Sequence, residues 1–212
     1  MNFKRTDLLA TVSILIVVGL LGTVFLRRQQ VRKASQQRIS CVGNLKNNGL
    51  SFRVFANDHD NLYPMQIAAE QGGAREAVAA GQVWKVFQVL SNELSVPKTV
   101  ICAADRDQRT PATNWTSFDN SNVSYFVGQD ATDTNPEMLL AGDRNLALEG
   151  SLLSGAVSLN AGVLPAWTPD DIHRGRGNIG LADGSVQQVT SGMLRQHLTK
   201  TGDATNRVVF PQ

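Results

Sequence analysis

The sequence has few of the residues on which several common protein classes depend. Its 212 residues include two cysteines and three histidines, and only 6% are aromatic. Two cysteines allow one disulfide at most, and the low aromatic content together with 18 glycines favours a loop-rich domain. A nucleophile elbow, a paired zinc-ligand motif and a phosphate-binding loop are also missing from the sequence. We therefore expect a protein that is not an enzyme.

Charged residues are absent from Leu8 to Leu26, a run of nineteen residues. A helix of that length extends about 28 Å, close to the hydrocarbon thickness of a bilayer. A signal peptide would have a shorter apolar region and a small-residue cleavage site, whereas basic residues follow here. A buried soluble helix would show a polar stripe. The run therefore predicts a single membrane-spanning helix, and we divide the chain into a membrane segment with its flanks, 1–33, and a globular domain, 34–212.

The small net charge of +2 conceals an uneven distribution. Residues 1–33 hold one acid and six basic residues: Lys4, Arg5, Arg27, Arg28, Arg32 and Lys33. Of the 20 basic and 18 acidic residues in the chain, 14 basic and 17 acidic ones therefore remain in residues 34–212. The basic residues flank the apolar run, where they can meet anionic lipid headgroups. The rest is mildly acidic, which argues against a nucleic-acid partner.

The predicted helix continues beyond the apolar run. No proline occurs from Val31 to Asp58, and apolar residues recur with helical spacing at Val42, Leu45, Phe52, Phe55 and Ala56. A polar cluster at 57–61 with a proline beyond predicts the end of the helix. The pattern indicates one helix of about fifty residues, whose second half packs under a globular body.

Alternating apolar residues and turn signals predict strands in that body, at 99–102, 122–128 and 137–144. Asp183-Gly184 predicts a two-residue hairpin turn between strands 178–182 and 185–190. We also expect a short helix capped by Ser191 and an edge strand at 208–211. Together these elements predict an α+β fold, with a long helix packed on a small antiparallel sheet.

Cys41 and Cys102 leave two alternatives open, a disulfide or two separate buried thiols. Two groups of polar residues invite comparison with metal sites. Asp58, His59 and Asp60 fit a helix end better than a metal site. Asp130, Asp133 and Asp143 are unranked candidates for calcium, and we otherwise expect no cofactor.

Four motifs occur in a distinctive order. Asp7-Leu8-Leu9 opens the apolar helix, and Cys41-Val-Gly-Asn-Leu-Lys46 precedes an aromatic Ala-Asn-Asp segment that ends in Tyr63-Pro64. Leu-Ala-Gly-Asp143-Arg-Asn follows, and His173 precedes Asp183-Gly184 by nine residues. The chain resembles type IV pilins and type II secretion pseudopilins, in particular a bacterial group with a processing-associated His-x9-Asp-Gly domain.

The resemblance implies a pilin-like fold and a structural subunit of a secretion pseudopilus or related filament. It places Phe3 at the first position of the mature chain, after Asn2. It implies that Asp7 neutralises the terminal amine of a neighbouring subunit. The implied partners are the membrane and copies of the chain or related pilin-like subunits, with no small-molecule substrate. The implied location is the bacterial cytoplasmic membrane, with the body outside the cytoplasm.

Two features depart from that pattern. Asn2 replaces the glycine of the processing site, and Lys4 and Arg5 replace apolar or hydroxyl residues. In addition, counting basic residues on either side of the span would place the body in the cytoplasm. We follow the resemblance on orientation. A membrane-anchored scaffold that does not assemble remains the alternative.

A third hypothesis is an anchored hydrolase that uses His173 with Asp170, Asp171 or Asp183. An extended strand at 178–182 would separate its own ends by about 16 Å. For this reason we interpret Asp183 and Gly184 as turn formers, and His173 as a loop residue that bonds backbone.

Overall fold

The computed structural model describes residues 5–106, 108–160 and 162–212, with side chains from Ile14 onward. Contacts divide the chain into two units, Met1–Gln37 and Arg38–Gln212. The first helix, α1, runs from Arg5 to Asn57 and contributes to both. The fold class is α+β, because a long N-terminal apolar helix is followed by antiparallel sheets.

In the first unit, the large apolar side chains described from Ile14 to Leu26 are 49–70% exposed. By length and composition α1 can cross a membrane, and no other helix in the described residues can. The predicted long apolar helix near the N-terminus is thus confirmed, together with its continuation to Asn57.

The second unit, which we call the body, shows nine strands in two antiparallel sheets within its described residues. The strands are β1 Tyr125–Gly128, β2 Leu139–Asp143, β3 Leu146–Leu148, β4 Ser151–Leu152, β5 Gly155–Ser158, β6 Ala166–Trp167, β7 Arg176–Leu181, β8 Val186–Thr190 and β9 Arg207–Phe210. Six of them form the main sheet in the order β5-β9-β1-β2-β7-β8, and the other three form a small sheet in the order β4-β3-β6.

Three short helices lie between α1 and β1: α2 Arg75–Ala79, α3 Val83–Val89 and α4 Ser91–Leu94. A further helix, α5 Ser191–Leu198, lies between β8 and β9. One-turn 3-10 helices occur at Pro64–Gln66, Ala69–Gln71, Pro97–Val100 and Asn120–Asn122. The α5 helix begins after Thr190, whose hydroxyl accepts a hydrogen bond from the Met193 amide, so the cap lies one residue before the predicted Ser191.

The second half of α1 buries one face in the core of the body. Its buried side chains recur every three or four residues: Cys41, Leu45, Asn48, Phe52 and Phe55. That spacing places them on one side of the helix. The main sheet meets this core through alternate side chains, because Tyr125 and Val127 face it while Phe126 belongs to a second core that includes Leu194 of α5.

The hairpin turn between β7 and β8 approaches α1 closely. A Cβ atom added to Gly49 would lie 3.3 Å from the Gly184 Cα atom. Arg53 Nη1 donates to the Asp183 carbonyl oxygen at 2.9 Å, and Tyr63 Oη donates to the Ala182 carbonyl oxygen at 2.7 Å. The glycine at 184, with φ of 82°, therefore serves both the turn and the helix contact.

Three predicted details of the fold are wrong. Residues 99–102 are not a strand, because a 3-10 turn at Pro97–Val100 leads into them. The strand near the C-terminus lies between β5 and β1 rather than at an edge. The β7–β8 turn has three residues, since the Leu181 amide bonds to the Ser185 carbonyl, and its last residue is the left-handed Gly184.

The packing of α1 can be tested at Phe52, which is fully buried and makes edge-to-face contacts with Tyr63 and Phe87. Phe52→Ala removes this ring and leaves a cavity, so we expect the body to lose about 3–5 kcal/mol of unfolding free energy. Val54→Ala, on the exposed side of the same helix, is the control and should change stability by less than about 0.5 kcal/mol. Thermal unfolding of the detergent-solubilised chain, followed by near-UV circular dichroism, measures both. Equal losses would contradict the packing.

Candidate functional site around the Cys41–Cys102 disulfide

A disulfide joins Cys41 on α1 to Cys102, which follows the 3-10 turn at Pro97–Val100. The sequence left this bond and a pair of free thiols as alternatives. Both sulfur-bearing side chains are fully buried. The Ala103 amide donates to Cys41 Sγ at 3.0 Å, and Asn44 Nδ2 donates to the Ile101 carbonyl at 2.9 Å. The second half of α1 is therefore fastened to the segment before β1 by a covalent bond and by hydrogen bonds.

The His173 ring lies directly against this disulfide. Its Nε2 atom is 3.3 Å from Cys102 Sγ and 3.6 Å from Asp143 Oδ2. The backbone explains why the His173 ring points into the body. His173, Arg174 and Gly175 all have positive φ and form a tight left-handed turn before β7. Asn145 Nδ2 donates to the Ile172 carbonyl at 2.6 Å and holds that turn in place.

The carboxylate beside His173 belongs to Asp143, the last residue of β2, and it is fully buried. Its Oδ2 atom accepts hydrogen bonds from the Asn178 amide at 2.7 Å and from Asn178 Nδ2 at 2.9 Å. Its Oδ1 atom is buried and accepts none from the described residues. Burial raises the pKa of Asp143 to about 7, against the opposing effect of the Asn178 hydrogen bonds.

The pKa of His173 shifts in the opposite direction. Burial, reinforced by the positive charge of Arg38, lowers it to about 4. At neutral pH the imidazole is therefore uncharged. A neutral imidazole keeps one unprotonated ring nitrogen, which can accept a hydrogen bond or bind a metal ion.

A second buried group lies next in the chain. Arg144 forms a bidentate ion pair with Asp105, with Nε to Oδ2 at 2.8 Å and Nη2 to Oδ1 at 2.6 Å. Gln108 and Asp171 complete its surroundings, at 2.6 and 3.7 Å. Asp143 and Arg144 are adjacent in sequence but bind different partners, Asn178 and Asp105. The arginine holds the loop after Cys102 against the loop that carries His173.

The structure separates several residues that the sequence had grouped. His173 meets Asp143, while Asp183 serves the hairpin turn, where its Oδ1 accepts from the Ser185 amide at 2.8 Å. The prediction that Asp183 is a turn former thus agrees with the contacts. The prediction that His173 bonds backbone does not agree, because in the described residues its ring contacts the side chains of Cys102 and Asp143.

The three calcium candidates do not converge. Asp130 pairs with Arg207 at 2.7 Å, Asp133 lies 3.7 Å from Arg53, and Asp143 belongs to the cluster around the disulfide. Among the described residues, the group of three or more potential metal-binding side chains is Cys41, Cys102 and His173. At the helix end, His59 stacks on Phe55 and its Nδ1 lies 2.8 Å from the Phe55 carbonyl oxygen, as expected for a helix terminus.

Of the residues assigned to processing and assembly, Asn2 and Phe3 lie outside the described residues. Asp7 lies within α1, and its side chain is also outside them. Sequence reasoning assigned no site role to Asp105 or Asn178. Asp105 begins a charged stretch after Cys102 and Asn178 lies in a glycine-rich stretch, and both patterns also fit ordinary turns.

The opposite pKa shifts predict a specific pH dependence for the oxidised chain. The raised pKa of Asp143 lets the folded state bind a proton that the unfolded state releases, so stability falls as pH rises from about 4 to 7. The lowered pKa of His173 costs stability as pH falls from about 6.5 to 4. In the wild type the two effects oppose each other across that interval.

Asp143→Asn removes one of these effects. We expect the variant to gain about 4 kcal/mol of unfolding free energy relative to the wild type as pH rises from 4 to 8, because the pKa of Asp143 is raised from 3.8 to about 7 and each unit corresponds to 1.36 kcal/mol. Urea unfolding of the detergent-solubilised chain at a series of pH values measures the difference. Asp170→Asn controls for the loss of one negative charge at an exposed position. A constant difference between wild type and Asp143→Asn would contradict the buried carboxyl.

Comparison of the chain with protein-family models, with curated proteins and with solved structures gives no match. The pilin-like resemblance therefore stays a prediction that the motifs alone support.

Proposed function

We propose that this chain is a pilin-like structural subunit that acts by packing α1 against neighbouring subunits rather than by catalysis. The first half of α1 anchors it in the bacterial cytoplasmic membrane as a single span. The body lies outside the cytoplasm. The partners are copies of the chain or related pilin-like subunits, in a type II secretion or type IV pilus-related system.

The observation that carries this proposal is the unburied face of α1 in the body. Ile39, Leu50 and Val54 are 68%, 62% and 42% exposed, although all three are apolar. At 100° per residue they lie within about 60° of one another, on the side opposite the buried face. An apolar stripe on a helix that is already packed on its other side is suited to a second helix. The stripe therefore supports assembly through α1.

The location rests on two further observations. The apolar run from Leu8 to Leu26 has about the length of a bilayer span, and its large apolar side chains described from Ile14 onward are exposed. The Cys41–Cys102 disulfide favours an oxidising compartment and hence a body outside the cytoplasm. The basic residues after the span favour the opposite orientation, and we give the chemical requirement of the disulfide more weight.

The alternative function is a membrane-anchored scaffold that keeps a pilin-like fold and does not assemble. Asn2 in place of the processing-site glycine, with Lys4 and Arg5 after it, is the observation that favours this alternative. The two functions differ in whether the N-terminus is processed and whether α1 meets other subunits.

Assembly through α1 can be measured by photo-crosslinking in native membranes, with a photoreactive residue at Ile39. Leu50→Glu should lower the yield of crosslinked subunits about tenfold. The loss of one buried leucine contact costs about 1.5–3 kcal/mol, and tenfold corresponds to 1.4 kcal/mol. Glutamate preserves helix propensity, so α1 should stay intact.

The matched control is Leu164→Glu, since Leu164 is 63% exposed on a loop against 62% for Leu50 on the helix. We expect its crosslinking yield to stay within twofold of the wild type. Equal yields from all three chains, or equal losses in the two variants, would contradict assembly through this stripe.

Mass spectrometry of the chain from native membranes distinguishes the two functions. An N-methylated Phe3 terminus is expected for an assembling subunit, and a chain that still begins at Met1 or Asn2 would favour the scaffold. The same sample, alkylated without prior reduction, should show Cys41 and Cys102 unmodified, because an extracytoplasmic body keeps them as a disulfide. Alkylation of both cysteines would contradict the proposed orientation.

A further inference from the structure

Three side chains with the chemistry of metal ligands meet at one buried point of the body, and a fourth, that of Asp143, lies beside one of them. Cys41 Sγ, Cys102 Sγ and His173 Nε2 lie within 4.8 Å of one another. Asp143 Oδ2 is 3.6 Å from the same His173 nitrogen. The two cysteines and the aspartate are fully buried and the histidine is 7% exposed. Such a group is complete without any ligand from solvent.

We propose that, once the Cys41–Cys102 disulfide is reduced, these four residues bind one zinc ion as a closed structural site. Two thiolates, one imidazole and one carboxylate are all ligands that zinc accepts in tetrahedral sites. The two thiolates favour zinc over calcium or magnesium, which prefer oxygen ligands. The proposal does not depend on whether the chain assembles.

The two distances measured from His173 fit a zinc tetrahedron, whereas the Asp143 carboxylate lies outside the group of ligand atoms within 4.8 Å of one another and has to move toward the sulfur atoms when zinc binds. Bonds of about 2.0–2.3 Å from the metal to its ligands imply edges of about 3.3–3.8 Å between ligand atoms. The observed edges are 3.3 Å from His173 Nε2 to Cys102 Sγ and 3.6 Å from His173 Nε2 to Asp143 Oδ2. The two sulfur atoms are held closer by their bond, and they separate once that bond is reduced.

The candidate ligand atoms also accept hydrogen bonds of the kind found around metal sites. The Ala103 amide donates to Cys41 Sγ, and the two Asn178 donors bind Asp143 Oδ2. Outer hydrogen bonds of this kind orient the ligands of metal sites. Asp143 Oδ1 is buried and accepts no hydrogen bond from the described residues, so this carboxylate lacks full compensation of its charge. A cation between Asp143 and the cysteines supplies it.

Atoms and electrons balance in the conversion between the disulfide form and the reduced, zinc-bound form. A dithiol reductant gives two electrons and two protons to the disulfide, becomes a disulfide itself, and leaves two thiols on the chain. Zinc then displaces the two thiol protons and any proton on Asp143, and it binds Nε2 of neutral His173, the proton of that ring being on Nδ1. Three anionic ligands and Zn²⁺ leave one negative charge, which the nearby positive charge of Arg38 offsets. A disulfide oxidant reverses the exchange and releases the ion.

Metal binding is tested on the full chain in detergent, reduced with a phosphine under argon and then given zinc chloride. After desalting, we expect one zinc ion per reduced chain and none on the oxidised chain. With cobalt chloride in place of zinc, the reduced chain should show thiolate-to-cobalt absorption and the intense visible bands of tetrahedral coordination. Reduced wild type that retains no zinc, or weak octahedral cobalt bands, would overturn the proposal.

Variants then identify the ligands by competition with a chromophoric chelator. His173→Gln and Asp143→Asn should each weaken zinc binding at least tenfold. The matched control is His197→Gln, because His197 is buried to the same 7% exposure but contacts the Glu137 carbonyl instead. It should bind zinc like the wild type.

Circular dichroism of each variant in the oxidised form, recorded before reduction, verifies that it folds. If either ligand variant retains wild-type affinity, the four-residue site is wrong. If a variant does not fold, the cobalt spectrum of the wild type decides, since it needs no substitution.

Discussion

The burial of one face of α1 in the body is the constraint on which the other features depend. Cys41 reaches Cys102 because this face turns toward the core, and Phe52 is placed against Tyr63 and Phe87 for the same reason. The opposite face, with Leu50, stays exposed because a helix cannot bury both sides against one sheet. Packing, covalent closure and the proposed assembly surface are thus consequences of a single helix orientation.

The sequence predicted the elements whose signals are local. The proline-free helix to Asn57, the β7–β8 hairpin and the strand that ends at Gly128 all follow from periodicity and turn residues within a short window. The order of the strands could not be predicted in this way. The strand β9 pairs with β1 and β5 through contacts distant in sequence, and the short strands β3 to β6 carry too few residues for a visible period.

The candidate site likewise depends on contacts between residues that are distant in sequence, which the sequence could not predict. The sequence motif groups His173 with the Asp-Gly turn, but in the structure His173 contacts Asp143, thirty residues earlier. The deciding feature is a turn in which His173 and Arg174 both adopt positive φ, and such a conformation in non-glycine residues leaves little trace in composition. Asp143 itself looks like an ordinary strand end. Only the fold shows that its carboxylate is buried beside a disulfide.

The basic residues and the disulfide favour opposite orientations of the body. Basic residues bias the direction of insertion, whereas a disulfide needs an oxidising environment to persist. A bond across 61 residues stabilises the body by about 4 kcal/mol on the loop-entropy model. On our proposal a zinc ion closes the same loop when the cysteines are reduced. The link between α1 and the segment at Cys102 would then persist on the reducing and on the oxidising side of the membrane, so the body could fold before its cysteines are oxidised.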